Sequence, residues 1–137
     1  MLSARLREIS QCLPSGVQLL AVSKGHSVSS IRDLTALGHC DFGESRLQEA
    51  LPKLSALKDV KGLRWHFIGR LQANKVRNVV RCFEYIHSVD SLALAERISR
   101  IAGEEGRSPK TMLQVKFRED PTKGWFAPDE LIKDRSK

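Results

Sequence analysis

Helical and extended patterns alternate along this chain, and the alternation constrains its fold more than any other feature. The pattern predicts an N-terminal helix within residues 1–13, five strand–helix units over residues 17–117, and a loop and tail over residues 118–137. Strands that alternate with helices form parallel sheets with right-handed crossovers. Residues that carry function are therefore expected at the carboxyl ends of the strands.

The boundaries of the elements follow from apolar spacing and from turn residues. Apolar residues at helical spacing predict helices, and short apolar runs between turn residues predict strands. Ser27 is expected to cap the second helix, and either Asp90 or Ser91 the fifth. The predicted strands cover residues 17–23, 40–42, 65–68, 85–89 and 112–117, and the predicted helices cover residues 2–12, 28–37, 46–57, 72–81 and 91–105, with a further short helix at 128–133.

Two α/β architectures satisfy this alternation. One is a doubly wound five-stranded sheet, which 137 residues complete as a single domain. The other is part of an eight-stranded βα barrel, a fold that typically takes about 250 residues when complete. The length of the chain favours the doubly wound sheet, whereas the motifs described below favour the barrel.

Composition excludes several classes of protein. The chain is 41% hydrophobic and 28% charged, as in ordinary globular domains. It has no apolar stretch as long as a membrane span, and its start, MLSARLREIS, lacks the apolar core of a secretory signal. Three separated cysteines predict neither a disulfide framework nor a zinc site. We therefore expect a cytoplasmic protein that binds no membrane and no metal.

The positive charge of the chain raises the question of nucleic-acid binding. The formal net charge is +7, and clustered lysine and arginine residues bind phosphates by releasing counterions. The basic residues are spread along this sequence, however, and aromatic residues make up only 6%. No nucleic-acid motif accompanies them. The sequence therefore predicts solvated helix faces and small anionic ligands, with no nucleic-acid partner.

Residues 19–24 form the stretch with the most chemical information. Four apolar residues lead to Ser23 and Lys24, as in a buried parallel strand that ends on a lysine. If the stem of Lys24 packs in the interior, the loss of hydration disfavours the ammonium and frees the amine as a nucleophile toward an aldehyde. The alternative is a lysine that only extends from the strand end into water. On this stretch alone, that alternative is favoured.

Five motifs together indicate a family. The segments AVSKGH, DFGESRLQEALPKL, WHFIGRLQANKVR, IHSVDSLALAERI and LQVKF resemble, in order and spacing, the pyridoxal 5′-phosphate homeostasis protein family. The resemblance runs from residue 1 to about residue 124. It implies a partial (βα)8 TIM-like barrel of the alanine racemase N-terminal-domain type, with pyridoxal 5′-phosphate on Lys24 as a Schiff base. Members of the family balance vitamin B6 and amino-acid pools without established turnover and are largely monomeric.

The same resemblance implies further cofactor-binding residues. His66 is implied as a wall of the cofactor pocket, His87 has a similar role, and Ser88 is implied as a hydrogen-bonding partner. Ser45 stands where the family usually has asparagine, and a helix cap is an equally good interpretation of this serine. Neither a catalytic residue nor a metal ligand is implied. Racemase activity is not expected, because the one tyrosine, Tyr85, begins a strand.

The family pattern stops before the end of the barrel. Barrels of this kind commonly hold phosphate in loops after the seventh and eighth strands, and the family's arginine, serine, glycine and threonine contacts are implied there. No glycine-rich phosphate loop replaces them. We therefore expect a chain truncated at its C-terminus, with weakened cofactor binding and self-association through exposed barrel edges. The alternative function is a non-catalytic interaction module on a five-stranded α/β sheet.

Overall fold

Helices and strands alternate throughout residues 2–115, which are the part of the chain that the computed structural model describes. The order is the predicted one, a helix followed by strand–helix units. The predicted tail over residues 118–137 and its short helix lie outside the described residues. The elements are α1 (Leu2–Cys12), β1 (Ala21–Val22), α2 (Val28–Ala36), β2 (Asp41–Glu44), α3 (Leu47–Ala56), β3 (Arg64–Phe67), α4 (Val76–Cys82), β4 (Tyr85–Val89), α5 (Leu92–Glu105) and β5 (Lys110–Leu113).

The chain divides into two compact units at the middle of β3. The first unit covers residues 1–65 and the second covers residues 66–137. Because β3 spans residues 64–67, it begins in the first unit and ends in the second. The expectation of one domain over the whole chain stays a prediction.

The first unit pairs three strands side by side. β1 runs parallel to β2, with Ala21 opposite Phe42. The start of β3 continues this pairing, since the Arg64 amide donates to the Cys40 carbonyl at 2.8 Å. Apolar side chains of α2, α3 and the strands pack into one core, because burying them removes apolar surface from water. This core contains Ile31, Phe42, Leu47, Ala50, Leu57 and Trp65.

The second unit continues the parallel pairing. The end of β3 pairs with β4 through His66 and Tyr85, and β4 pairs with β5 through Tyr85 and Lys110. The register of β4 and β5 shifts between Ile86 and Val89, which marks a β-bulge. The buried apolar side chains of this unit are Phe67, Leu71, Val76, Val79, Val80, Phe83, Ile86, Val89, Leu94, Ile98, Ile101 and Ala102.

The strand order decides between the two architectures. The strands follow one another in the sheet in chain order, from β1 to β5. A doubly wound sheet reverses its order at a switch point, whereas a βα barrel adds each strand beside the previous one. The fold is therefore an α/β arrangement of the partial (βα)8 barrel type, with five strands preceded by a helix, as the motifs predicted.

Four strands differ from their predicted bounds: β2 and β3 are shifted by one or two residues, and β1 and β5 differ more. The strand predicted at residues 17–23 is only Ala21–Val22, because its ladder with β2 covers two residue pairs and Val17 is 52% exposed. β5 begins at Lys110, earlier than predicted, because the Lys110 amide already donates to the Glu84 carbonyl at 2.9 Å. A prediction from apolar residues alone gave a first strand that is too long, and it left out the polar residues at the start of β5.

Two of the three predicted helix caps are present in the structure. The Ser27 hydroxyl accepts from the Ser30 amide at 3.2 Å, and the Ser91 hydroxyl accepts from the Leu94 amide at 3.1 Å. Ser91 is therefore the cap of α5, and Asp90 precedes it. The interpretation of Ser45 as a helix cap is wrong, because Arg46 holds the N-cap position of α3 and makes no side-chain capping bond.

The longest helix of the described residues, α5, has 14 residues, fewer than a membrane span takes. Within residues 2–115, no helix combines the length and the apolar character that crossing a bilayer takes. Cytoplasmic location and the absence of a nucleic-acid partner stay predictions.

Candidate functional site

Lys24 lies in a tight turn directly after β1. The His26 amide donates to the Ser23 carbonyl at 3.0 Å, which closes a four-residue turn over Ser23–His26. Gly25 holds the third position with a φ of 76°, the backbone conformation that a type II turn requires there. Glycine reaches this conformation without the steric cost that a Cβ brings. The turn places Lys24 just past the carboxyl end of β1, as the alternation predicted.

The side chain of Lys24 is less buried than the sequence suggested. Lys24 is exposed, and Val22, two residues earlier on β1, is 48% exposed. The expected packing of its stem in the interior is wrong for the described residues, because β1 ends at Val22 and Lys24 belongs to the turn. Within residues 2–115 no hydrogen bond or ion pair engages its amine. The amine is therefore free to react with a ligand.

A buried ionic network lies beside this turn. Glu44, at the end of β2, is fully buried, and its Oε1 accepts from Lys53 Nζ at 2.7 Å. The same oxygen accepts from the Ser23 hydroxyl at 3.1 Å. Glu44 Oε2 has no hydrogen-bond partner among the described residues. A buried carboxylate is costly without a partner, so the stability of this arrangement depends on Lys53.

Two side chains of α3 hold the peptide groups on both sides of Lys24. Lys53 Nζ donates to the Ser23 carbonyl at 2.9 Å, and Glu49 Oε1 accepts from the Gly25 amide. Lys53 also donates to Glu49 at 3.0 Å. We call Glu49 and Lys53 the α3 clamp. The clamp fixes the backbone around Lys24 and leaves its amine free.

The pKa values of the α3 clamp follow from these contacts. The Gly25 amide and the Lys53 ammonium hold the pKa of Glu49 below its ordinary value. Burial opposes the charge of Lys53, but hydrogen bonds to Glu44 and Glu49 outweigh it and raise the pKa of Lys53 overall. Both residues are therefore charged at neutral pH. Sequence reasoning missed the clamp, although a Glu–Lys pair at i,i+4 spacing was a visible signal.

Ser45 lies at the same sheet edge as Lys24. It follows the last residue of β2, is half-buried, and occupies a bend before α3. Since β1 and β2 are parallel neighbours, the residues that follow them meet at one edge of the sheet. The structure thus groups Lys24 and Ser45 as the sequence predicted, and Ser45 stays a predicted binding residue.

His66 and His87 form a direct pair in the second unit. His66 Nδ1 and His87 Nε2 are 2.8 Å apart, which is a hydrogen bond between two rings. The Tyr85 ring stacks on the His66 ring, with the ring centroids 4.0 Å apart and the planes 3° from parallel. One ring nitrogen donates and the other accepts, so the bond is lost if both rings carry two protons. The predicted grouping of these two histidines is present on β3 and β4.

This pair makes stability depend on pH. Burial, and to a lesser extent the charge of His66, lower the pKa of His87 below 6.5. The unfolded chain therefore binds the proton more tightly, and the free energy of unfolding falls as the pH drops through 6.5. We expect His87→Gln to flatten this slope in denaturant titrations at a series of pH values, with exposed His26→Gln as control. An unchanged slope in His87→Gln would contradict the assignment.

Ser88 sits within the bulge of β4. Regular alternation would put His87 and Ser88 on opposite faces of the strand, but the register shift between Ile86 and Val89 interrupts that alternation. Ser88 is 5% exposed, and its hydroxyl has no partner among the described residues. A buried hydroxyl of this kind favours a ligand or a water as its missing partner.

The family model for the N-terminal domain of alanine racemase matches residues 1–132. The chain belongs to this family. Membership in the alanine racemase N-terminal domain family agrees with the strand order.

Individual relatives narrow the resemblance within the family. A pyridoxal phosphate homeostasis protein of Synechocystis sp. is 48% identical over 124 residues, which are 90% of this chain and 57% of that protein. The structure of PipY from Synechococcus elongatus without PLP superposes with a TM-score of 0.95 at 50% identity, covering 98% of this chain and 62% of that one. The same protein with PLP bound gives 0.93 at 49% identity, with 99% and 63% covered. The resemblance predicted from the motifs is confirmed.

The coverage of these relatives is partial. This chain spans 57% of the Synechocystis protein and 62% of PipY. What the whole proteins bind or do is therefore a proposal for this chain.

Proposed function

We propose that this chain binds pyridoxal 5′-phosphate as a Schiff base on Lys24 and acts in the homeostasis of vitamin B6 and amino acids. The free amine of Lys24, on a turn held from both sides, is the observation that carries the proposal. PipY, solved with PLP bound, is 49% identical over 99% of this chain, which supports the same ligand.

The proposed bond uses ordinary amine chemistry. The neutral amine of Lys24 adds to the aldehyde carbon, a C=N bond forms, and the carbonyl oxygen leaves as water. The cofactor then supplies an electron sink for reactions at a bound amine. The chain contributes the nucleophile, the fixed turn that presents it, and polar groups that orient the ring.

The remaining predicted site residues fit a polar aromatic ligand. The Ser88 hydroxyl is buried without a partner among the described residues, so it offers an unused donor and acceptor. His66 and His87 add an imidazole pair on β3 and β4, and Ser45 adds a hydroxyl after β2. We propose that these four residues contact the cofactor, as the family resemblance implies.

We propose that the chain carries pyridoxal 5′-phosphate and has no catalytic turnover of its own. A racemase needs a second acid or base opposite the lysine, typically a tyrosine. Tyr85 is the single tyrosine of the chain, begins β4, and is stacked on His66. The name of the relatives, pyridoxal phosphate homeostasis protein, supports a role in the homeostasis of the cofactor rather than in catalysis.

The phosphate is proposed to add little to the affinity. No glycine-rich phosphate loop occurs in the 137 residues. Pyridoxal, which lacks the phosphate, provides a direct comparison.

An absorbance titration tests this function. We expect pyridoxal phosphate to produce a saturable Schiff-base band at stoichiometric occupancy, and pyridoxal to bind within about tenfold of it, a difference of about 1.4 kcal/mol. A preference for the phosphorylated ligand of roughly a thousandfold would contradict the weak phosphate site, since that equals about 4 kcal/mol of binding. No saturable band with either compound would contradict the proposed function.

The alternative interaction module has one observation in its favour. Every residue of β5 is exposed, including Met112 at 44% and Leu113 at 51%, and Val22 of β1 is 48% exposed. Apolar edge strands favour pairing with another chain, so self-association through β1 and β5 remains a proposal. Sedimentation of the titration samples at several protein concentrations distinguishes the interaction module from the cofactor carrier. An interaction module is expected to show a mass that depends on protein concentration and no absorbance band with pyridoxal phosphate.

A further inference from the structure

We infer that Glu49 is a positioning residue for Lys24: with Lys53, it holds the Lys24 turn in the geometry that presents the amine to a ligand. The inference rests on the proposed function, because it concerns how that site is built. Neither Glu49 nor Lys53 is expected to touch the ligand.

The peptide groups on the two sides of Lys24 are held in a symmetrical way. The carbonyl of the preceding residue, Ser23, accepts from Lys53, and the amide of the following residue, Gly25, donates to Glu49. Both bonds involve a charged side chain, and such hydrogen bonds are stronger than neutral ones. Lys24 itself makes no such contact within residues 2–115. The backbone is thus held on each side of a side chain that is left free.

The α3 clamp is itself held rigidly. Lys53 and Glu49 lie one helical turn apart on α3 and pair at 3.0 Å. Lys53 is anchored further by Glu44, whose side chain is fully buried, at 2.7 Å. The network therefore runs from the end of β2 through α3 to the turn after β1. A group supported by helix and sheet holds its position better than one supported by a loop.

Without Glu49, the turn around Lys24 would gain conformational freedom. Glycine has the least restricted backbone of all residue types, so the peptide group of Gly25 can rotate once its amide is released. The bond from the His26 amide to Ser23 remains, but it fixes only the ends of the turn. Lys24 then samples more orientations, and ordering it on binding costs conformational entropy. Binding should weaken while the fold survives, because the Glu49 side chain is 33% exposed.

The experiment compares three variants of the full chain. Glu49→Ala removes the acceptor for the Gly25 amide. Glu49→Gln keeps a carbonyl acceptor at the same reach but loses the charge. Glu96→Ala makes the same change at an exposed position of α5 and serves as the control.

Two measurements are made on each variant. Hydrogen exchange of the Gly25 amide, followed by NMR without cofactor, reports whether the clamp holds the turn. Absorbance titration with pyridoxal phosphate reports binding. We expect Glu49→Ala to speed Gly25 exchange and to weaken binding about tenfold, the equivalent of one charge-assisted hydrogen bond. Glu49→Gln should recover part of both effects, and Glu96→Ala should match the wild type.

The outcomes separate this inference from the proposed function. Wild-type affinity in Glu49→Ala, together with faster Gly25 exchange, overturns the positioning role and leaves the proposed function intact. Unchanged Gly25 exchange in Glu49→Ala overturns the clamp itself. A wild-type chain without a saturable band overturns the proposed function and, with it, the positioning role, while the exchange data still report whether the turn is held.

Discussion

Lys24→Ala is expected to abolish the saturable absorbance band that pyridoxal phosphate produces with the wild-type chain. Only an amine can form the C=N bond, and Lys24 is the lysine that the turn after β1 presents with its amine free of contacts within residues 2–115. Since Lys24 is exposed, its removal should leave the free energy of unfolding within about 0.5 kcal/mol of the wild-type value. Absorbance titration and denaturant unfolding of the same preparation measure both quantities.

Two control variants sharpen this result. Lys58→Ala removes an exposed lysine after α3 in the same unit and should retain the full band. Lys24→Arg keeps the positive charge without the reactive amine and should behave like Lys24→Ala. A band of undiminished amplitude in Lys24→Ala would mean that another lysine reacts, and the proposed role of Lys24 would be wrong.

The second large effect is expected in stability. Lys53→Met leaves the buried carboxylate of Glu44 without its cation, and breaking a buried pair in this way costs about 3–5 kcal/mol. That loss is a large part of the total stability of a small domain. The free energy of unfolding from urea titration, followed by circular dichroism, measures it.

A paired variant tests the reason for that loss. Glu44→Gln combined with Lys53→Met removes both charges, so the double variant should be more stable than Lys53→Met alone. Lys58→Met, at an exposed position, controls for the change of side chain. If Lys53→Met costs less than about 1 kcal/mol, the value typical of exposed pairs, then the network around Glu44 does not stabilise the fold as described.

The fold was largely predictable because its signals are local. Helices such as α2 and α5 begin at serines that cap them and carry apolar stripes, so their starts follow from the sequence. Functional residues lie at the carboxyl ends of parallel strands, so the sequence alone predicts the position of Lys24 after the first strand. The order of the strands in the sheet, in contrast, does not follow from local sequence signals. The length of the chain favoured a doubly wound sheet, and only the family motifs indicated the barrel order that the structure shows.

The candidate site was predictable in position but not in detail. The exposure of Lys24 depends on β1 ending at Val22, which is set by pairing with β2 and not by the apolar run itself. The bond between His66 and His87 depends on the register of two strands. Glu44 and Lys53 both lie in the segment DFGESRLQEALPKL, but the segment does not predict that they pair. Their burial as a pair follows only from the packing of α3 against the strand ends. Long-range register and packing are the information that one sequence lacks.

The most direct test of the central claim is to find which lysine carries the cofactor. Pyridoxal phosphate is added at a stoichiometric amount, the Schiff base is reduced with borohydride, and the modified peptides are identified by mass spectrometry. We predict one dominant adduct on Lys24, in the turn that follows β1. Adducts distributed evenly over the exposed lysines, with no excess on Lys24, would contradict it.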